Sequence, residues 1–337
     1  MASWYEWLFG VEESTRAVHL GFKVEDDTLV APNGQRFGIG RFSTPCLKTL
    51  RQTGEAQGAK GRVRVNHEVI GDVLELHAQP ENAGALFQVA SQLNTLEFPG
   101  PNTVPEDGIT GYASDPTQGP ACALAAAAAS VYRNDFVPLA GGVGQHHDTQ
   151  IDLLSDLALR LGEPDAYFTV RNGYTFSDTS RLNQLARRLR QVGREACLDQ
   201  IRIGLQSQVE VTWAQRFVRP ERPTFVSQAF CSAISCGYVA SVPLQAWTPL
   251  ATLVLDAMYE ATLWATILDK AEGRGSGRVW LTFVGGGVFG NEPAWIVHAI
   301  RRAIDRVRGF AIDIRIAHYG ELHLGYANAI DHRGTEG

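Results

Sequence analysis

A short apolar run, three consecutive glycines and a strongly patterned helix follow one another between Arg278 and Arg308. This arrangement narrows the folds open to the chain. Val279 to Val284 has one polar member, Thr282, and reads as a buried strand. Gly285, Gly286 and Gly287 follow at once, then Val288 and Phe289, and Gly290 closes the turn before Asn291. Glu292-Pro293 opens a helix at a position where the missing proline N–H has no intrahelical partner to lose. Trp295, Ile296, Ala299, Ile300, Ala303, Ile304 and Val307 recur at helical spacing, and Arg301, Arg302, Arg306 and Arg308 fill the other face and the last turn.

A strand, a glycine loop and a helix N-terminus together make an anion cradle. Glycine lets the backbone come close and adopt positive φ. The unpaired N–H groups of the loop and first helical turn point outward, and the helix dipole favours negative charge there. A tight turn that binds nothing is the bland alternative, but three glycines exceed what a turn needs. The spacing fits neither G-x-G-x-x-G nor the P-loop with its Lys and Ser/Thr. A nucleotide diphosphate held by backbone amides is expected, rather than NAD on a Rossmann turn or ATP hydrolysis.

The remaining elements alternate in α/β style. Arg62–Ile70, Ala85–Gln92, Ala166–Val170, Ile201–Trp213, Thr224–Ala233 and Ala311–Ala317 read as strands. Helices are expected over residues 121–134, 149–161, 180–196 and 249–270. A mixed, mostly parallel sheet covered on both faces follows. Residues 1–61 read as an N-terminal extension and 62–334 as one domain. Within the extension, Ala31-Pro32-Asn33-Gly34 joins Thr28–Val30 to Arg36–Ile39 as a hairpin, and Gln52–Gly61 reads as a loop. The aromatic cluster Trp4, Tyr5, Trp7, Leu8 and Phe9 must dock or be a partner surface.

With 337 residues and a net charge of −6, general nucleic-acid binding is not expected. No apolar run reaches transmembrane length, so no membrane partner is expected. Five cysteines without C-x-x-C pairing suggest neither disulfides nor zinc, and a cytoplasmic setting is the expectation. The adjacent histidines of His146-His147-Asp148 point apart on most backbones, so no metal is assigned.

Two further stretches carry candidate chemistry. Gln92, Asn94 and Glu97 lie just past the end of a buried strand, where ligands of open α/β sheets sit. Pro99 to Gly119 is long, irregular and acidic, holding Glu106, Asp107 and Asp115, with Ile109 and Tyr112 as anchors. It ends at Gln118-Gly119-Pro120, a second helix N-terminus suited to phosphate.

Thr282 to Asn291 before its helix resembles the second phosphate loop of macrodomains, where such a turn holds the diphosphate of ADP-ribose. Ile70-Gly71-Asp72-Val73 resembles the macrodomain turn whose Asp contacts adenine, and Phe87–Gln92 sits where macrodomains carry an asparagine-ended strand. More narrowly, residues 94–98, 105–112, 115–122 and 131–134 resemble the arginine-specific macrodomain ADP-ribosylhydrolases. The resemblance covers residues 62 to 320. It implies a three-layer α/β/α macrodomain-like fold and release of mono-ADP-ribose from arginine side chains of proteins. ADP-ribose is then ligand and product, and no cofactor is required. Two departures stand out. Gln92 replaces the asparagine that holds the distal ribose, with Asn94 as a substitute, and the acidic segment replaces the first glycine loop.

Cleaving a ribose–guanidinium bond passes through an oxocarbenium-like state, and two jobs suit carboxylates. One grips positive charge, and the other activates water or handles a proton. Asp107 and Asp115, eight positions apart, form the expected pair, with Glu106 in reserve. Amides of Gly285, Gly286, Gly287, Val288, Phe289 and Gly290, beside Asn291, are expected on the diphosphate. Asp72 is expected on adenine, Gln92, Asn94 and Glu97 near the distal ribose, Gly119 at the second helix start, and Phe289 or Tyr319 against a ring. The competing reading is a module that holds ADP-ribose without cutting it. Several carboxylates beside an anionic ligand weaken binding and speak against that.

Overall fold

The computed structural model describes residues 3–212 and 222–331. Trp213, at the end of an expected strand, and the tail beyond Asp331 lie outside these residues. Seven strands form the central sheet: β1 (Arg41–Ser43), β2 (Arg64–Ile70), β3 (Leu86–Ala90), β4 (Gly204–Glu210), β5 (Phe225–Cys231), β6 (Arg278–Leu281) and β7 (Asp313–Tyr319). Their spatial order is β1-β4-β5-β3-β6-β7-β2. The run β5-β3-β6-β7-β2 is parallel, and β4 is antiparallel to both of its neighbours. Strand β1 comes from the segment before residue 62 and pairs Leu205 with Ser43, so that segment supplies one sheet edge.

The inner parallel strands β5, β3, β6 and β7 are largely buried because helices cover each side, giving three α/β/α layers, while the edge strand β2 is only partly covered. On β3, Leu86 joins one core, while Phe87 and Val89 join the opposite one. The first layer holds the helices Leu47–Gln57, Thr179–Val192, Leu244–Ala271 and Pro293–Arg306. The second holds Val73–Ala78, Gln118–Ala125 and Ala127–Val131.

Helix Leu244–Ala271 is long and apolar enough to cross a membrane, yet 94% of its most apolar window is buried inside this fold. The sequence hides that length because Asp256 and Glu260 interrupt it. Both are met by arginines: Arg194 bonds Asp256 at 2.6 Å, and Arg51 and Arg302 bond Glu260 at 2.8 and 2.7 Å.

Several boundaries differ from the sequence expectation. Residues 52–57, read as loop, complete helix Leu47–Gln57. Its Gly54 lies so close to Trp264 that an added Cβ would come within 2.5 Å of the ring. That glycine therefore serves helix packing and not chain reversal. The alanine-rich helix expected to Asn134 is broken at Ala126 (φ −125°, ψ 58°). The helix expected from Thr149 begins only at Ser155. Thr169–Arg171 pairs with Tyr174–Phe176 as a separate hairpin outside the main sheet. The hairpin of Thr28–Val30 with Arg36–Gly38 forms as expected. The aromatic cluster docks: Trp4, Tyr5, Leu8 and Phe9 are buried in a second core with Ile109, Tyr112 and Leu124, while Trp7 is 53% exposed.

Candidate active site

The carboxyl ends of β3 and β6 part company. Their pairing covers only Leu86 with Val279 and Phe87 with Trp280. Beyond it the side chain of Gln118 takes the free edge of β3, accepting from Ala90 N at 2.8 Å and donating to Gln88 O at 2.8 Å. A split of this kind at the carboxyl edge is where open α/β sheets bind ligands. Gly119, at this helix start, is buried, and an added Cβ would lie 2.0 Å from Ala90 O, so only glycine permits the approach.

The glycine loop leaves β6 on this edge. Tyr259 fixes its base, donating to Thr282 O at 2.6 Å and accepting from Val284 N at 2.9 Å. Gly285 has φ 79°, and an added Cβ would meet Ala233 Cβ at 2.2 Å. Asn291 is buried and donates to Ile234 O at 2.8 Å, so its side chain ties the loop to the end of β5. Gly237 N donates to Phe289 O at 2.9 Å. Within the loop, Gly286 N reaches Phe283 O, Gly290 N reaches Gly287 O and Asn291 N reaches Gly285 O. The N–H groups of Gly287, Val288 and Phe289 have no acceptor among the described residues. Gly286, Gly287 and Val288 are exposed. Three successive unpaired N–H groups on a braced loop suit an anion.

Phe289 belongs to an aromatic group with Tyr174 (centroids 5.5 Å apart) and Tyr238 (5.8 Å). Tyr174 donates to Phe98 O at 2.9 Å. Burial raises the Tyr174 phenol, and the neighbouring Tyr238 and the charge of Asp115 raise it further. Asp115 is therefore within electrostatic reach of the ring that touches the glycine loop. Its Oδ1 accepts from Thr117 N at 2.9 Å and Thr117 Oγ1 at 2.6 Å, and it is half-buried.

The other acids of the loop are placed differently. Asp107 is exposed and caps its own 3₁₀ turn, accepting from Val104 N at 2.9 Å. Glu106 accepts from His147 N at 3.1 Å and contacts His147 Nδ1 at 3.1 Å and His146 Nδ1 at 3.5 Å. Partial burial pushes the Glu106 carboxyl up, but the His147 bonds outweigh it and hold the group below the usual range. The two histidines thus converge on a carboxylate. Among the described residues no group of three or more His, Cys, Asp or Glu side chains is placed to hold a metal.

The side chains of Gln92, Asn94 and Glu97 turn inward and are not presented to a ligand. Gln92 exchanges two hydrogen bonds with the backbone of Phe98, at 3.0 and 2.9 Å. Asn94 accepts from Leu96 N at 3.1 Å and donates to Gln150 at 2.9 Å. Glu97 is 1% exposed and faces the fully buried Arg133 at 3.4 Å. Arg133 also stacks on Phe230 at 3.7 Å. Burial pushes Glu97 up to about 7, although Arg133 pulls the other way. These residues shape the crevice from behind.

Asp72 is exposed at the end of β2 and caps helix Val73–Ala78 by accepting from Leu74 N at 2.9 Å. Tyr319 ends β7 on the same edge and is 80% exposed. The structure thus brings Asp72, Gly119, the glycine loop, Asp115 and Tyr319 to one edge of the sheet. An open groove of about 650 Å³ lies at the other end of the strands, lined by Arg62, Arg64, Lys270 and Asp313. It is remote from this edge. The sequence reading missed Tyr259, Gly237, Tyr174 and Tyr238, which touch the loop only through the fold and leave no local signal.

No protein-family model matches the chain, and no curated protein does. Among solved structures it is similar to the poly(ADP-ribose) glycohydrolase of Deinococcus radiodurans in complex with ADP-ribose. That likeness has 13% identity over 95% of this chain and 96% of that one, with a TM-score of 0.46. It is also similar to the poly(ADP-ribose) glycohydrolase of Thermomonospora curvata, with 14% identity over 94% of each chain and a TM-score of 0.44.

Proposed function

We propose that the chain is an ADP-ribosylhydrolase that removes mono-ADP-ribose from arginine side chains of proteins by breaking the bond from ribose C1″ to the guanidinium nitrogen. The observation that supports it is the arc of unpaired N–H groups at Gly287, Val288 and Phe289, with Asp115 bonded to Thr117 beside the Gln118 that holds the carboxyl end of β3. The N–H arc takes the diphosphate, and Asp72 at the end of β2 meets adenine. Asp115, with Asp107 as its partner, stabilises the positive guanidinium and the developing oxocarbenium charge and manages the water proton. Water attacks C1″, the C1″–N bond breaks, and the released guanidine leaves protonated.

The decisive experiment incubates the protein with arginine-linked and glutamate-linked ADP-ribosylated proteins and reads released ADP-ribose. Release from the arginine linkage alone is the expected result. Tight calorimetric binding of ADP-ribose without release from either substrate identifies a reader and overturns the hydrolase reading.

A further inference from the structure

The acidic loop is held by a part of the chain that lies about a hundred residues earlier. Glu13 accepts from Ile109 N at 2.8 Å and from Thr110 N at 2.6 Å, and its second oxygen also takes the Thr110 hydroxyl. Trp4 Nε1 donates to Thr110 O at 2.8 Å. The backbone N–H and C=O of one residue are thus both gripped by the N-terminal segment. Thr110 lies between Asp107 and Asp115. Gly108 has φ 77°, and an added Cβ would meet the Glu13 carboxyl at 2.5 Å, so the carboxylate is seated directly against the loop backbone.

The grip itself rests on a rigid base. Trp4, Tyr5, Phe9, Phe22 and Phe37 pack edge to face, with centroid distances of 4.8 to 6.3 Å, and Ile109 is fully buried in the same core. A short irregular loop without such support samples many conformations. Here a charged acceptor fixes two successive N–H groups, and hydrogen bonds to a charged group are stronger than neutral ones.

We propose that the N-terminal segment is a clamp on the catalytic loop, with Glu13 and Trp4 as positioning residues that set where Asp107 and Asp115 stand relative to the bound sugar. This rests on the functional reading above for its effect on turnover, but the clamp itself has a separate readout. Neither residue belongs to the glycine loop, so the grip on the diphosphate is independent of them.

The test uses the full chain and its Glu13→Ala, Glu13→Gln and Trp4→Phe variants. Amide hydrogen exchange follows Ile109 and Thr110, and turnover and ADP-ribose affinity are measured in parallel. In Glu13→Ala the two amides lose protection, and kcat falls on the order of 10- to 100-fold, because a misplacement near 1 Å costs up to about that much. ADP-ribose affinity stays within about twofold, since the diphosphate loop is untouched. Glu13→Gln keeps one acceptor oxygen and shows an intermediate loss. Trp4→Phe keeps an aromatic ring in the cluster, removes the bond to Thr110 O, and costs a few-fold; it carries the test should Glu13→Ala fail to fold. Unchanged protection of Ile109 and Thr110 in the variants overturns the clamp, as does full kcat with protection lost. A wild-type protein that cleaves nothing overturns the functional reading alone, and exchange at Ile109 and Thr110 then decides the clamp.

Discussion

The glycine loop and the acidic loop meet at one sheet edge but are built in opposite ways. The glycine loop is flanked at once by regular elements, β6 before it and helix Pro293–Arg306 after it, closes on itself through Asn291 and Gly285, and is braced from outside by Tyr259 and Gly237. The acidic loop is two short 3₁₀ turns, Pro105–Asp107 and Thr110–Ser114, with no regular element on its N-terminal side nearer than β3. It is held from afar, by Glu13, Trp4, Asn134 on Pro105 O at 3.0 Å, and the Tyr112 hydroxyl on Glu97 N at 3.0 Å. The binding loop thus runs directly between a strand and a helix and is then braced by distant residues, whereas the acids sit on a loop that depends mainly on distant contacts. Substitutions in the two loops should separate affinity from turnover.

The largest separation is expected at Asp115. Asp115→Asn keeps the acceptor for Thr117 N but removes the charge beside Tyr174. Release of ADP-ribose from arginine-linked substrate should fall by roughly 10²- to 10⁴-fold, the usual share of a positioned acid or base. ADP-ribose affinity should hold or rise, because a negative charge near an anionic ligand is gone. Asp107→Asn should also lose turnover. Full activity in both variants refutes the carboxylate pair.

Gly285→Ala tests the other loop. An alanine at φ 79° is strained, and its methyl would sit 2.2 Å from Ala233 Cβ. The loop must shift, and ADP-ribose affinity should fall on the order of 10- to 100-fold by calorimetry, where tenfold is about 1.4 kcal/mol. Unchanged affinity would place the diphosphate elsewhere. A smaller effect is expected from Tyr259→Phe, which removes the hydroxyl between Thr282 O and Val284 N. Val284 N also bonds Thr282 O at 3.0 Å, so the variant loses the bridging hydroxyl and not every partner, at a cost of about 1 kcal/mol. Melting temperature should drop by a few degrees and affinity should weaken several-fold.

The same contrast explains what the sequence made legible. The strand, triple glycine and helix could be read because period, turn chemistry and helix start all lie within thirty residues. Ile109 and Tyr112 were readable as anchors because they are the large apolar members of a polar stretch, and both are buried. Gln92, Asn94 and Glu97 were readable as polar groups at a strand end, but not their direction. Leu93 and Leu96 between them and Phe98 just beyond are all buried, and the segment folds back so that each polar side chain bonds inside. Gly54 looked like a loop signal because glycine weakens helices in general, whereas its role depends on Trp264 two hundred positions away. Glu13 carries no local mark of its function.

The base of the clamp gives a pH-dependent prediction. Asp135 is buried, its Oδ1 accepts from Asn134 at 3.3 Å, and its Oδ2 has no partner. Burial pushes this carboxyl up to about 7, with the charge of Glu13 adding to the shift. An acid whose folded pKa is raised binds its proton more tightly folded than unfolded, where Asp titrates near 3.9. Folding is then most favoured below that value, and stability is lost as pH rises from about 4 to about 7, by an amount on the order of a few kcal/mol. Glu97 is raised in the same direction and titrates in the same window. Asp135→Asn removes one of the two, so the melting temperature should fall less between pH 5 and 8 than in the wild type and should exceed it at pH 8. The neutral amide in that variant cannot repel Glu13, so protection of Ile109 and Thr110 should also hold better at high pH. Parallel melting curves for the two proteins across that range would refute the assignment of Asp135 as the titrating group.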